Sequence, residues 1–101
     1  MKYTLLPEAL IEYSEAIQYY ANQSRDLGQE FINVIEDSIY RIREFPERWG
    51  TIGGGIRRCP VHKFPYSVLY AVKLSEQEPH IVIVAIMHGR RKPGYWKTRK
   101  F

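Results

Sequence analysis

The stretch MHGRRKPGYWKTRKF at 87–101 sets His88, Arg90, Arg91, Lys92, Lys97, Arg99 and Lys100 around Tyr95 and Trp96. Cations at this density hold phosphates or carboxylates, and flat rings stack on bases or fill apolar pockets, so the combination has the chemistry of a surface for a polyanion or an acidic partner. A solubilising tail needs the charge and has little use for the rings. Upstream lie Arg57, Arg58 and Lys63. Arg57 and Arg58 alternate across a strand, so only one of them can share a face with Lys63 or with the residues leaving the last strand. If neighbouring strands bring that arginine and Lys63 beside His88, Arg90 and Arg91, one rim of a sheet carries three to five cations together with Tyr95. Such a rim could cleave RNA without a metal, because attack by a 2′-hydroxyl on its own phosphate calls for a base, an acid and cations for the developing charge. It could equally only bind. The plain alternative for each arginine is a surface charge or a partner for a helical carboxylate.

Other candidate chemistries fit poorly. GGGIRR at 53–58 has the glycines of a phosphate loop, but they lead into a strand, whereas a phosphate cradle needs a helix whose N-terminal amides face the anion. The triplet reads instead as a flexible entry to the sheet. His62, His80, His88 and Cys59 stand at no spacing that closes a zinc site, so no metal or cofactor is implied. Nearly all the carboxylates lie on helices, leaving no separate acidic cluster for two-metal chemistry. Cys59, the only cysteine, reads as a small buried residue and excludes an internal disulfide; a reducing, cytoplasmic setting fits it.

The elements that must position these residues follow from periodicity. KYTLL at 2–6 is β-prone and stops at Pro7, which suits the first turn of a helix. Ala9, Tyr13, Ala16, Ile17 and Tyr20 recur at helical spacing to about Gln23, with Glu8, Glu12 and Glu15 on the other faces, which predicts an amphipathic helix with an acidic outside. NQSRDLG makes a break. A second helix then runs from about Leu27 to Phe45, where Pro46 stops it. PERWGTIGGG at 46–55 reads as a loop, after which the period changes to two: IRRCPV, FPYSVLYAVKL with Phe64, Tyr66, Val68, Tyr70, Val72 and Leu74 on one face, and HIVIVAIM, continuous enough to be buried on both sides. SEQEP at 75–79 is the expected turn. The result is a single α+β domain over 1–101: an N-terminal strand, an antiparallel helical hairpin on a mostly antiparallel four-stranded sheet, and a short basic C-terminal tail.

At 101 residues and 45% hydrophobic content the chain has room for one modest core. Its net charge of +4 is unevenly spread: residues 1–55 hold 5 Lys/Arg against 9 Asp/Glu, and residues 56–101 hold 10 against 2. The two signs should therefore appear on opposite sides, the basic one facing polyanions or an acidic protein. The longest apolar run, IVIVAIM, is far below the ~20 residues of a membrane-spanning helix, so no membrane role is expected. The N-terminus does not read as a signal peptide. Acidic helices also argue against independent major-groove reading of DNA.

The order of elements, with YYANQSRDLGQEF, IREFPERWG, GIRRCPVHKFPYSVLYAV and HGRRKPGYWKTR, resembles the RelE/ParE superfamily of toxins from bacterial type II toxin-antitoxin modules over nearly the whole chain, most closely members known as plasmid stabilisation proteins. The resemblance implies a growth inhibitor neutralised by a cognate antitoxin, with operator DNA reached only through that antitoxin. RelE-like members cut messenger RNA on the ribosome; ParE-like members inhibit DNA gyrase. Carried over, Arg90 or Arg91 matches the C-terminal arginine of the nucleases and Tyr95 their C-terminal tyrosine, so Arg90, Arg91, Tyr95 and Lys63 are the catalytic candidates, and Arg57, Arg58, His88, Trp96 and Arg99 the binding ones. Against cleavage, this chain has Ser67 where those nucleases carry an arginine, and loss of a transition-state cation costs about 2.7–4 kcal/mol. Ser67 is expected on the open side of the sheet. The resemblance thus favours ParE-like action on a protein such as gyrase, with a ribosome-dependent endoribonuclease and an inactive relic or nucleic-acid-binding module as alternatives.

Overall fold

The computed structural model describes residues 1–74 and 78–101. Its elements are β1 (Lys2–Leu5), α1 (Pro7–Gln23), α2 (Arg25–Glu44), β2 (Thr51–Gly53), β3 (Ile56–Pro60), β4 (Tyr66–Lys73) and β5 (His80–His88). Pro7 opens α1, where its missing N–H is not needed. The expected break between the helices shrinks to Ser24. Its backbone N–H donates to the Tyr20 carbonyl, ending α1, and its hydroxyl accepts from the Leu27 N–H, starting α2. The helices approach so closely that a Cβ on Gly28 would lie 2.8 Å from the Cβ of Ala21.

The sheet has five strands in the order β1-β5-β4-β3-β2, with β1 parallel to β5 and the other pairs antiparallel. The added strand is β2, formed within the expected loop. Gly53, Gly54 and Gly55 take positive φ values of 114°, 61° and 75°, so the triplet is the turn of a β2–β3 hairpin rather than a flexible entry. Of the expected 75–79 turn, residues 75–77 lie outside those described.

Both sheet faces are covered, by different parts of the chain. Ala9 and Ala16 of α1 and Phe31, Ile35, Ile39 and Ile42 of α2 pack on Val68, Tyr70, Ile81, Ile83 and Ile86. The expected alternation of β4 holds through Val72, but Leu74 lies beyond the strand end, 85% exposed. On the opposite face Ile56, Leu69, Ala71, Val82, Val84 and Ala85 lie under Trp96, with Tyr95 and Met87 alongside. A bulge adds one residue to this second face. Leu69 pairs with Ala85 but Tyr70 with Ile83, so Val84 is extra and joins Ala85 on the face away from the helices. The tail is therefore a structural layer over that face. Among the described residues no helix is long and apolar enough to cross a membrane.

Candidate functional site

The alternation of β3 decides which arginine reaches the rim. Arg57 pairs with Tyr70, which faces the helices, and its guanidinium donates to the carbonyls of Trp49 (2.6 Å) and Glu47 (3.3 Å). It thus pins the 45–50 loop, as does the Tyr70 hydroxyl, which donates to the Pro46 carbonyl at 2.7 Å. Lys63 sits in the turn after β3 at φ 73°, and its ammonium pairs with Glu30 of α2. Neither joins the cations of the tail.

Arg58 does. It pairs with Leu69 on the face away from the helices and helps line a concavity of about 390 Å³ with Ile52, Met87, Arg91, Trp96 and Lys97. Among the described residues no carboxylate borders this concavity. The Arg58 Nε donates to the Ser67 hydroxyl at 3.0 Å. Ser67 is 3% exposed, so the expectation of an open position is corrected: Arg58 of the adjacent strand already covers it. Lys97 enters through a turn opened by Gly94 at φ 77°.

Arg91 stands where β5 ends and borders two concavities, the one just described and a smaller groove on the helical side lined by Glu12, Glu15, Tyr19, Tyr66 and His88. Its guanidinium carbon lies 3.9 Å from the centre of the Tyr95 ring. His88 meets the Tyr66 ring edge-on at 5.0 Å, and its Nδ1 accepts the Arg90 backbone N–H at 2.9 Å. Arg90 itself is exposed beside a groove with Tyr19, Tyr20 and Gln23.

Tyr95 and Arg99 are tied down. The Tyr95 hydroxyl donates to Glu12 Oε2 at 2.6 Å, and Arg99 grips the same carboxylate with both terminal nitrogens, at 2.8 and 2.9 Å. Arg99 also donates to the Val84 carbonyl (2.9 Å), and the Ile86 N–H donates to Glu12 Oε1 (3.1 Å). These two backbone groups lie on the β5 edge beyond β1, where no strand among the described residues meets them, so the ion pair substitutes for a strand. Burial alone would raise the Glu12 carboxyl, but Arg99, Tyr95 and the Ile86 N–H together hold it below its ordinary value. Burial, and then the bond to Glu12, push the Tyr95 hydroxyl well above the usual phenol range. A phenol in that state donates and does not act as a base near neutrality. Trp96 is buried, 6% exposed, packed on the sheet rather than offered as a free ring.

Glu12 is the residue that sequence reasoning placed wrongly, as part of an acidic exterior. A signal was present: it falls three residues after Ala9 and four before Ala16, on the apolar stripe itself, where a carboxylate requires a cation.

Residues 3–93 match a family described as the ParE toxin of type II toxin-antitoxin system, parDE. The matched range stops short of Tyr95, Trp96 and Arg99. Among solved structures the chain is similar to one from the chromosomal ParDE TA system of P. aeruginosa, with a TM-score of 0.61 and 14% identity over 87% of this chain and 95% of that one. At that identity the likeness is one of fold. No curated protein matches the sequence.

Proposed function

Because the chain belongs to the ParE toxin family of type II toxin-antitoxin systems, we propose that it is a growth inhibitor that acts in the cytoplasm by binding a protein target of the DNA gyrase kind, and that a cognate antitoxin neutralises it. The observation that carries binding over cleavage is the state of Tyr95, whose hydroxyl is spent on Glu12 and is unavailable as a base. The concavity beside it holds three cations and apolar surface from Ile52, Met87 and Trp96 and, among the described residues, no carboxylate or imidazole to act as a base. That is a surface for acidic and apolar side chains of a partner. Antitoxin recognition falls on the same side: an extended acidic segment lays Asp or Glu against Arg58, Arg91 and Lys97 while apolar anchors supply the affinity. Operator DNA is met through the antitoxin.

One observation favours the second reading, a ribosome-dependent endoribonuclease. His88 lines a groove with Tyr66, Tyr19 and Arg90, which supplies an imidazole, rings and a cation in one place. Inducible expression tests the proposal as a whole. The chain alone should arrest bacterial growth, and co-expression of an antitoxin from the same module should restore it. Normal growth with abundant soluble protein would contradict a toxin role and leave the relic reading.

A further inference from the structure

The carboxylate that anchors the tail also bears on where the tail's cations stand. Between Arg91 and Arg99 the backbone makes single turn bonds: Tyr95 N–H to the Lys92 carbonyl, Lys97 N–H to Gly94, and Arg99 N–H to Trp96. Lys92, Pro93, Lys97 and Thr98 are exposed, so such turns do not by themselves fix a segment against solvent. What crosses from this segment to the rest of the protein includes the packing of Trp96 and Tyr95 on the sheet, the Arg99 bond to the Val84 carbonyl, and the bonds from Tyr95 and Arg99 to Glu12, the one carboxylate that both side chains share. The Tyr95 ring then carries two guanidinium groups, Arg91 at 3.9 Å and Arg99 at 4.9 Å.

We propose that Glu12 is a positioning residue of the cationic face: by holding the Tyr95 hydroxyl and Arg99, it fixes the Tyr95 ring as the platform on which Arg91 lies, and so sets Arg91 at the mouth of the concavity it shares with Arg58 and Lys97. The role of that face in target binding rests on the function proposed above; the positioning itself does not. A chain of physical contacts runs from a helix of the acidic half to the functional cation of the basic half, through residues 83 apart in sequence. A carboxylate is required because a neutral amide accepts a hydrogen bond from the Tyr95 hydroxyl but cannot grip Arg99 at two points, and Arg99 would then keep its charge inside the protein without a counter-ion.

Two measurements on the full-length protein test this. The first needs no target. In the wild type the Arg91 side-chain protons should show a ring-current displacement in NMR spectra, which Arg91→Lys assigns and Tyr95→Leu abolishes. Tyr95→Phe should retain part of it, because the ring stays packed. Glu12→Ala should move these protons to the position of an exposed arginine while Trp96 fluorescence and circular dichroism remain those of the folded protein. If Glu12→Ala does not fold, Glu12→Gln at low temperature replaces it, with a partial loss of displacement expected. An unchanged Arg91 signal in a folded Glu12 variant overturns the proposal. The second measurement is association with gyrase across salt concentrations. Glu12→Ala and Arg91→Ala should slow it similarly, and the double variant should match the slower single one within about twofold. Effects that multiply would overturn the link from Glu12 to Arg91. If Arg91→Ala associates as the wild type does, while Glu12→Ala loses the ring-current displacement, the reading of the face fails and the positioning stands.

Discussion

Glu12 contributes to how the protein responds to acid. Its carboxyl lies below the ordinary value of 4.5 in the folded chain and returns to that value on unfolding, so the ionised group stabilises the fold fully above pH 4.5. That contribution is lost as pH falls through the lower, folded value. Thermal melts from pH 7 to 3 should show a decline below about pH 4.5, of which Glu12→Gln removes part, while the variant melts lower at neutral pH. Removing one side of such a buried pair costs about 3–5 kcal/mol, the magnitude expected for Glu12→Ala. An unchanged acid limb in Glu12→Gln would contradict the role of this ion pair. Cys59 offers a second check. Burial pushes its thiol up to about 11, so at pH 8 it stays protonated and should label with thiol reagents orders of magnitude more slowly in the folded protein than in denaturant. These partnerships were only half legible in the sequence. Residue types announced the cations and rings of the tail, whereas the partner of Tyr95 lies on another element and was read as an exposed acid.

Helices α1 and α2 could be read almost to their ends, because helical periodicity, Pro7, Ser24 and Pro46 are local signals. Strand β2 could not. Three exposed residues carry no periodicity, and it pairs only because three positive-φ glycines return the chain upon itself. Nor does sequence spacing mark a bulge such as that at Val84, which adds one residue to the second buried face, a face that the continuous apolar run of β5 did announce. Two substitutions test these contacts. Gly28→Ala should cost about 1–3 kcal/mol, since its Cβ would press on the backbone and side chain of Ala21 at the helix crossing. Trp96→Ala should cost about 3–5 kcal/mol by uncovering the face formed by Leu69, Val82 and Val84. Urea unfolding measures both, and an unchanged midpoint for Trp96→Ala would show that the tail does not hold the sheet.

Taken as a body, the protein separates its charge as the sequence predicts, with carboxylates mainly on the helical hairpin and cations on the sheet and tail. Ion pairs that join the two halves include Glu12 with Arg99, and Glu30 with Lys63. Lys63 is a cation whose placement the sequence did not resolve: it sits in a turn at φ 73° and its ammonium pairs with Glu30 on the other side of the sheet from the tail. An exposed basic face steers an acidic partner, so association with the antitoxin should slow as salt rises, and more shallowly once Arg90 and Arg91 are both changed to Ala. The central claim is that this face binds a protein rather than cuts RNA, and one paired assay tests it most directly. Purified protein is titrated against DNA supercoiling by gyrase and, at the same concentrations, against messenger-loaded ribosomes. The account predicts inhibition of supercoiling by the wild type, loss of that inhibition in Arg58→Ala/Arg91→Ala, and intact messenger throughout. Codon-specific cuts in the ribosomal A site at substoichiometric protein, with supercoiling unaffected, would contradict it.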